Sequence, residues 1–327
     1  MKSFFLTLIL IPLIALGWFA YLISPASTNP NKQEFTISKG QDIDLIGKNL
    51  KDAGFIRSPL AFKIIVYLNK LPSKIQAGYF SLSASDSTQD IAKSLTKALS
   101  KQVMITIPEG LRRQEVANII IDKLQTSKLK HTFNPDLFIS QTVALEGQLF
   151  PDTYAFPENV DTKQAIDLLH SKYLQVLKDL KIVDKDITRI TILASLIEKE
   201  AGQDSERAEI SGVINNRLTE NWPIQIDATI QYFISNNRCR IRICDWWPKD
   251  LTQDDLILPS PYNTYKNQGL PPTPIANPGR KSLAAAKNPK STTAWFYLHG
   301  LDGVIRFANT IEQHNKNVCL YLKKDCN

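Results

Sequence analysis

The chain is short of the residues and spacings that most metal and nucleotide sites need. Its 327 residues include four histidines and four cysteines. No His-x-x-x-His pair, no Cys-x-x-Cys pair and no glycine-rich phosphate loop is present. These absences argue against a histidine-based metal site, a zinc site with the usual cysteine spacing and a nucleotide-binding P-loop. We therefore expect no metal and no cofactor.

A basic block is also missing, although the formal net charge is +7. Lysine and arginine are spread along a chain that is 43% apolar and 22% charged. Spread charge gives little support for a nucleic-acid partner and is compatible with any anionic surface. The composition is that of a globular protein, and the length is enough for two or three domains.

Charge is absent from one long run, Phe4 to Ile23. A helix needs about 20 apolar residues to cross hydrocarbon, and three aromatic residues near the end of this run suit a membrane interface. A cleaved signal peptide is the alternative, but its apolar core is usually roughly 7–15 residues long and no clear A-x-A site follows. We expect residues 1–24 to form an inner- or plasma-membrane anchor, in the bilayer through residues 4–23, with the remaining chain extracytoplasmic.

All four cysteines lie in the C-terminal third of the chain. An even number of cysteines in an oxidising compartment favours disulfides. Three pairings are open, and the local ones, Cys239 with Cys244 and Cys319 with Cys326, each close a short loop and are preferred. Zinc binding is the competing interpretation, weakened by the lack of a Cys-x-x-Cys pair.

Short strand and helix patterns alternate after a polar tether at residues 25–34, and they predict a small α+β region over residues 35–125. Within it, T-I-x-x-G occurs at residues 36–40 and again at 106–110. Each glycine is expected to turn the chain from a strand into a helix, although chance similarity is the alternative. Residues 126–327 follow as a second domain with mixed helices and strands.

An acidic pair ends an apolar helical pattern, in A-S-L-I-E-K-E-A at residues 194–201. The periodicity predicts a helix from near Asp186 to near Gly202. Glu200 follows Leu193 by seven residues and Ile197 by three, so it belongs to the apolar stripe. We therefore expect its carboxyl to face the interior or the floor of a cleft.

Burial separates Glu200 from its neighbour Glu198, which lies at the margin of the stripe and is expected to be solvated. A carboxyl held against apolar side chains has a raised pKa, and a general acid must keep its proton near neutral pH. The alternative is that Glu200 forms a purely structural ion pair, for which Arg217 on the next helix is the candidate partner.

Polar groups that suit a sugar follow downstream. Residues 225–232 (Q-I-D-A-T-I-Q-Y) alternate polar and apolar, which predicts an extended segment with Gln225, Asp227 and Thr229 on one side. Two proline-stiffened loops, at residues 259–265 and 269–279, offer tyrosines, amides and hydroxyls as the walls of a binding cleft. An irregular covering loop is the alternative interpretation.

At these residues the sequence resembles the endolytic murein (lytic) transglycosylases of the MltG or YceG-like type. The resemblance extends from the anchor to the C-terminus, and its motifs are A-S-L-I-E-K-E-A, S-E-R (205–207), I-N-N-R-L (214–218), Q-I-D-A-T-I-Q-Y, P-Y-N-T-Y (261–265), G-L-P-P-x-P-I-A-N-P-G (269–279), F-A-N-T-x-x-x-H-N (307–315), Q-A-G-Y (76–79), I-P-E-G (107–110) and E-G-Q-L-F-P-D-T-Y (146–154). It implies an α+β protein with one N-terminal transmembrane helix, a LysM-like region at 35–125 and a catalytic domain of the lytic transglycosylase type at 126–327.

The resemblance also implies a reaction. Such an enzyme is a lyase that cleaves peptidoglycan strands between N-acetylmuramic acid and N-acetylglucosamine, using neither water nor metal, and leaves 1,6-anhydromuramoyl ends. Glu200 would first protonate the departing oxygen and then take the proton of the muramoyl C6 hydroxyl. Peptidoglycan synthases are the expected neighbours. The residues whose motifs would line the cleft are Asn216, Arg217, Gln225, Asp227, Tyr262, Asn263, Thr264 and Tyr265.

Two other functions stay open from the sequence. A hydrolase of the same bond would need a second carboxylate, for which Glu146, Asp152 and Asp227 are candidates. A non-catalytic glycan-binding or scaffolding protein is the other alternative. The segment 235–248 departs from the family pattern, with two cysteines, three arginines and two tryptophans. It predicts either a disulfide-closed hairpin at the edge of the cleft or a plain stabilised loop.

Overall fold

The computed structural model describes residues 2–38, 40–99, 101–239 and 244–323, and it describes side chains from residue 13 onward. Helices alternate with short strands, as the α+β prediction requires. The chain divides into two compact units, Met1–Lys101 and Gln102–Asn327. The domain limits predicted from the sequence stay predictions, but this division falls before residue 125 because residues 102–106 pair with a strand of the second unit.

The described residues of the first unit form four helices and one antiparallel strand pair. Its elements are α1 (Lys2–Ile23), β1 (Lys32–Ile37), α2 (Ile43–Asp52), α3 (Pro59–Leu68), β2 (Gly78–Ser83) and α4 (Thr88–Ser94). Strands β1 and β2 pair along their whole length. Phe35, Leu50, Phe62 and Leu82 are among the side chains that fill the core between the strands and helices.

Among the residues that the structure describes, no helix combines the length and the apolar character needed to cross a bilayer.

The second unit begins with a similar order of elements. Its first part comprises β3 (Gln102–Thr106), α5 (Arg113–Ser127), α6 (Pro135–Gln141), a 3-10 turn (Val143–Leu145) and β4 (Thr153–Pro157), with β3 antiparallel to β4. Each T-I-x-x-G motif ends the first strand of its unit, and Gly40 and Gly110 have positive φ angles of 88° and 76°. The predicted turning role of both glycines is therefore confirmed.

Helices dominate the rest of the second unit. The remaining elements are α7 (Thr162–Asp179), α8 (Asp184–Glu200), a 3-10 turn (Asp204–Glu206), α9 (Arg207–Thr219), α10 (Asp227–Arg238), α11 (Gln253–Leu256), α12 (Arg280–Lys287), β5 (Phe296–His299), β6 (Ile305–Ala308), α13 (Ile311–Val318) and a π turn (Cys319–Lys323). Strands β5 and β6 form an antiparallel pair. Helix α8 packs between its neighbours with residues 190–197 all buried, so it is the scaffold on which the site is built.

The predicted extended segment at residues 225–232 is wrong, because Asp227–Arg238 is helix α10. Ala228, Thr229 and Ile230 are all buried there, one after another. An alternation over these eight residues does not distinguish a strand from a helix that is buried on most of its surface. Thr229 therefore does not share a face with Gln225 and Asp227, and its hydroxyl lies 3.0 Å from that of Thr264 in the interior.

The structure contains the disulfide between Cys239 and Cys244, which is one of the two local pairings preferred from the sequence. Of the segment 235–248, residues 235–238 are the end of α10, and residues 240–243, the middle of the predicted hairpin, lie outside the described residues. Cys326 and its predicted pairing with Cys319 also lie outside them. Beyond the disulfide, Trp246 is buried with the Arg112 guanidinium 4.9 Å from its ring centre. The indole N–H of Trp247 donates to the Glu115 carboxylate. These contacts anchor the segment to α5.

Candidate active site

Helix α8 presents Glu200 as its last residue. Ile190, Leu193 and Ile197 are buried as the stripe predicted, and the helix stops because Ala201 leaves the helical region with ψ of 122°. Glu200 itself is partly buried. A carboxyl at the C-terminal end of a helix lies at the negative end of the helix dipole, which disfavours its ionised form.

Tyr297 of β5 is the hydrogen-bond partner of Glu200. Its phenolic O–H donates to Glu200 Oε2 over 2.9 Å. Burial, followed by the charge of Glu200 and this hydrogen bond, raises the pKa of Tyr297 well above its usual value. The phenol therefore stays protonated and remains a donor over the whole neutral range. The sequence interpretation missed Tyr297, whose signal is the short strand pattern F-Y-L-H.

The pKa of Glu200 is raised, and burial is the main cause. The Tyr297 hydrogen bond opposes this shift because it favours the carboxylate. The nearby charge of Asp227 raises the pKa of Glu200 further, while His299 and Arg217 lower it. The outcome is a carboxyl that holds its proton to a higher pH than an exposed glutamate does, as a general acid requires.

Glu200 opens into a cavity of about 340 Å³. The cavity is lined by Glu200, Arg217, Gln225, Asp227, Tyr265, Phe296, Tyr297, Ile311 and His314. Of the nine residues predicted from the sequence, the structure brings five together here: Glu200, Arg217, Gln225, Asp227 and Tyr265.

Arg217 lines the cavity without forming an ion pair with Glu200 among the described residues. Its Nε donates to the carbonyl of Trp295 over 2.9 Å, and its Nη1 donates to the carbonyl of Ile224 over 2.8 Å. The guanidinium is therefore committed to two backbone segments that form the cavity wall. The purely structural Glu200–Arg217 pair has no support in this geometry.

Asp227 begins α10 and brings a second carboxylate to the cavity. The phenol of Tyr265 donates to Asp227 Oδ1, so the loop 259–265 is connected to the start of this helix. Gln225 has a left-handed backbone with φ of 54°, a conformation that is uncommon for residues other than glycine and is often found at functional sites. Its N–H donates to the carbonyl of Thr264 over 3.0 Å.

Asn263 and Thr264 do not line the cavity; they shape the loop behind it. The Asn263 amide donates to the carbonyls of Leu256 and Leu258, at 3.0 and 2.9 Å. The Thr264 hydroxyl accepts from the N–H of Ile226 over 2.9 Å. Both side chains are almost fully buried. They hold Tyr265 in place.

Asn216 and Tyr262 also lie outside the lining of the cavity. The Asn216 amide donates to the carbonyls of Thr292 and Ala294, at 2.9 and 3.1 Å. These bonds hold the chain just before β5. The Tyr262 hydroxyl lies 2.7 Å from the hydroxyl of Thr273 and so connects the two proline-rich loops.

The prediction that Glu198 is solvated is wrong. Its side chain is 6% exposed and forms an ion pair with Arg207 at 3.0 Å. It also accepts the N–H of Gly279 over 2.9 Å. The margin of α8 is covered by the loop that leads into α12, and helical periodicity cannot reveal a cover that comes from a distant part of the sequence. Glu198 and Glu200 therefore differ in their partners, since Glu198 has a cation and Glu200 has a neutral phenol.

Of the three candidate second carboxylates, only Asp227 reaches the cavity. Glu146 is buried against Arg113, at 2.7 Å, and Asp152 pairs with Lys172 at 2.8 Å. In the described part of the chain no cluster of three or more histidine, cysteine, aspartate or glutamate side chains could hold a metal ion. The cavity lining provides two carboxyl groups, of Glu200 and Asp227, and two phenols, of Tyr265 and Tyr297.

Phe296, Ile311 and His314 form an apolar side of the cavity that the sequence interpretation did not predict. His314 belongs to the F-A-N-T-x-x-x-H-N motif at residues 307–315 but was not singled out. Burial, and then the charge of Arg217, lower the pKa of His314, so its ring is neutral at neutral pH. Phe296 lies next to Tyr297 on β5.

Comparison with known proteins gives a consistent result. The sequence profile of the YceG-like family matches residues 35–319. A Bacillus subtilis protein named endolytic murein transglycosylase is 31% identical, over 93% of this chain and 90% of that protein. A Streptococcus pneumoniae serotype 2 protein of the same name is 28% identical over 95% of this chain, which spans 63% of its length.

A solved structure is similar as well. The crystal structure of a YceG-like protein from Listeria monocytogenes matches with a TM-score of 0.51 and 29% identity. The match covers 88% of this chain and 99% of that one.

Proposed function

This chain belongs to the YceG-like family, and we propose that it is an endolytic murein transglycosylase, a lyase that cleaves the glycan strands of peptidoglycan between N-acetylmuramic acid and N-acetylglucosamine. The observation that carries the proposal is Glu200, a carboxyl with a raised pKa that lies in a cavity and is hydrogen-bonded to a neutral donor. The names of the relatives support the substrate.

Glu200 supplies the proton in the first step. Because Tyr297 donates to Oε2, Oε1 is the oxygen that carries the transferable proton. That proton passes to the glycosidic oxygen, the bond from C1 to this oxygen breaks, and its electron pair leaves with the N-acetylglucosamine. Positive charge develops at C1, and the carboxylates of Glu200 and Asp227 both stabilise it. Tyr297 stabilises the newly formed Glu200 carboxylate.

The same carboxylate is the base in the second step. It takes the proton of the C6 hydroxyl of the muramoyl unit, and the C6 oxygen forms a bond to C1. The product is a 1,6-anhydromuramoyl end, and Glu200 is protonated again. No water is consumed, so one carboxyl performs both proton transfers.

Hydrolysis of the same bond is the competing reaction. The position of Asp227 favours it, because this residue places a second carboxylate in the cavity. A water molecule activated there would yield a reducing end instead of an anhydro end. A glycan-binding protein without activity would yield neither.

One digestion separates these three functions. Purified glycan strands are incubated with the full-length chain, with Glu200→Gln and with Glu220→Gln, which changes an exposed glutamate at the end of α9. New ends are identified by mass spectrometry. Anhydro ends that disappear in Glu200→Gln and persist in Glu220→Gln support the proposal. Reducing ends indicate the hydrolase, and intact strands indicate the binding protein.

The position of the enzyme in the cell is proposed from the sequence. The uncharged run at residues 4–23 would anchor it in the membrane, and the second unit would act on the wall outside the cytoplasm. The LysM-like character of residues 35–125 and the neighbouring peptidoglycan synthases stay predictions. Detergent-dependent extraction of the full chain from membranes, compared with a chain lacking residues 1–24, tests the anchor.

A further inference from the structure

An aromatic cluster adjoins the Glu200 cavity. Phe296 and His314 line the cavity, and Trp222 contacts Phe296 from the side, with ring centres 5.5 Å apart and planes at 88°. Trp222 is 37% exposed, so part of its ring is accessible to a ligand. We call Trp222, Phe296 and His314 the aromatic platform.

Three separate elements hold the platform in place. Phe296 belongs to β5, and the His314 ring of α13 stacks on it at 5.1 Å and 24°. Trp222 follows the end of α9, where its N–H donates to the carbonyl of Arg217 over 2.7 Å. Because these rings are already ordered by their neighbours, a ligand that stacks on them loses little additional conformational freedom.

Arg217, which also lines the cavity, contacts two rings of the platform. Its guanidinium carbon lies 5.5 Å from the Phe296 ring centre and 5.6 Å from that of Trp222, within the range of a cation–π contact. Since its N–H groups already donate to two backbone carbonyls, the guanidinium stays where it is when a ligand enters.

The cavity lining therefore combines two kinds of side chain. Glu200, Asp227, Gln225 and Tyr265 provide acids, an amide and a phenol, whereas Phe296 and His314 of the platform provide ring surface. A pyranose ring has the matching character, because its rim carries hydroxyl groups and its faces carry C–H groups. A few placed polar groups and an aromatic wall are the usual composition of a specific ligand site.

We propose that the aromatic platform is a glycan subsite that stacks the face of one hexosamine ring of the strand and aligns the neighbouring bond with Glu200. This inference rests on the proposed function for the identity of the ligand. Trp222 is the outer binding residue of the subsite.

The test measures binding without turnover. In the full-length chain carrying Glu200→Gln, Trp222 is changed to Ala, Leu or Phe, and calorimetry measures the Kd for peptide-free glycan strands. Leu174→Ala is the control, since it truncates an apolar side chain that is similarly exposed, on α7. Thermal unfolding of each variant verifies that the protein is folded.

We expect Trp222→Ala and Trp222→Leu to raise Kd about tenfold, which corresponds to about 1.4 kcal/mol. Trp222→Phe keeps an aromatic face and should stay within about threefold of the parent, and Leu174→Ala should equal it. The inference is overturned if Trp222→Ala binds within twofold of the parent, or if Trp222→Phe is as weak as Trp222→Leu.

The two proposals fail separately. Strands that bind normally but are not cut by the wild-type chain contradict the proposed reaction and leave the subsite supported. Strands that are cut and bound equally well with and without the Trp222 ring contradict the subsite alone.

Discussion

Removal of the Tyr297 hydroxyl should alter both the rate and the pH dependence of the reaction. Tyr297→Phe removes one buried hydrogen bond of 2.9 Å to a carboxyl and leaves the ring in place. Hydrogen bonds to charged groups contribute roughly 1.5–3 kcal/mol. If the bond acts on the carboxylate formed in the transition state, its loss lowers kcat by about 10- to 150-fold, at 1.36 kcal/mol for each factor of ten.

The direction of the pH effect follows from the same bond. The hydrogen bond lowers the pKa of Glu200 against the larger effect of burial, because it stabilises the ionised form. Without it, the pKa of Glu200 rises further. In the proposed mechanism protonated Glu200 is the reactive form of the free enzyme, so the limb on which kcat/KM falls with rising pH should move to higher pH in Tyr297→Phe.

The assay is kcat/KM on defined glycan strands across pH, with Tyr173→Phe as the matched control. Tyr173 is also buried, and its hydroxyl contacts that of Thr191 over 2.5 Å inside the core, outside the cavity lining. The Tyr173→Phe variant should be less stable than the wild type, but the descending limb of its kcat/KM profile should not move. A Tyr297→Phe profile that coincides with wild type, or a limb that moves to lower pH, would refute the role given to this phenol.

Three more outcomes follow from the described contacts. Asp227→Asn removes a negative charge that raises the pKa of Glu200, so the descending limb of kcat/KM should move to lower pH, opposite to the Tyr297 variant; an upward shift contradicts the electrostatics. Glu200→Gln should stabilise the fold at neutral pH, because ionising a carboxyl whose folded pKa is raised costs stability as pH rises from about 4.3 through the folded pKa. The Tm of Glu200→Gln should therefore exceed that of the wild type at pH 7, and the difference should disappear at pH values below about 4.3; equal Tm values at pH 7 count against the burial of the acid. Gly212→Ala places a Cβ 2.1 Å from the Lys290 carbonyl, so denaturant titration should show a loss of about 1–3 kcal/mol, and a loss under 0.5 kcal/mol contradicts the packing.

Local periodicity was sufficient to predict helix α8 and the side of it on which Glu200 lies. Helix α8 carries its apolar stripe over many turns, so both the helix and the inward side of Glu200 follow from residue spacing. The two T-I-x-x-G turns were equally local, since glycine adopts a positive φ without steric cost and can therefore turn the chain there. Such features depend on the nearest few residues.

Features that depend on distant chain segments were missed. Tyr297 reaches Glu200 from 97 residues away along the chain, and the cover over Glu198 comes from 81 residues away. Only the tertiary fold brings such residues together. The start of α10 was misread for a related reason, because burial on most sides of a helix removes the 3.6-residue period that would have identified it.

Family motifs identified a mixture of lining and supporting residues. Gln225, Asp227 and Tyr265 meet at the cavity, whereas Asn263 and Thr264 hold the loop from behind. A sequence motif does not distinguish a residue that lines the cavity from one that supports the loop, because the site needs both. Burial in the folded chain is what separates them.

The central claim is that a single carboxyl serves as acid and base while the sugar provides its own nucleophile. Digestion of glycan strands in water enriched in oxygen-18, followed by mass spectrometry of the new ends, tests it most directly. The account predicts muramoyl ends that contain no label and have the mass of the anhydro form. New ends that carry one atom of oxygen-18 would contradict it, because a water molecule would then have attacked C1.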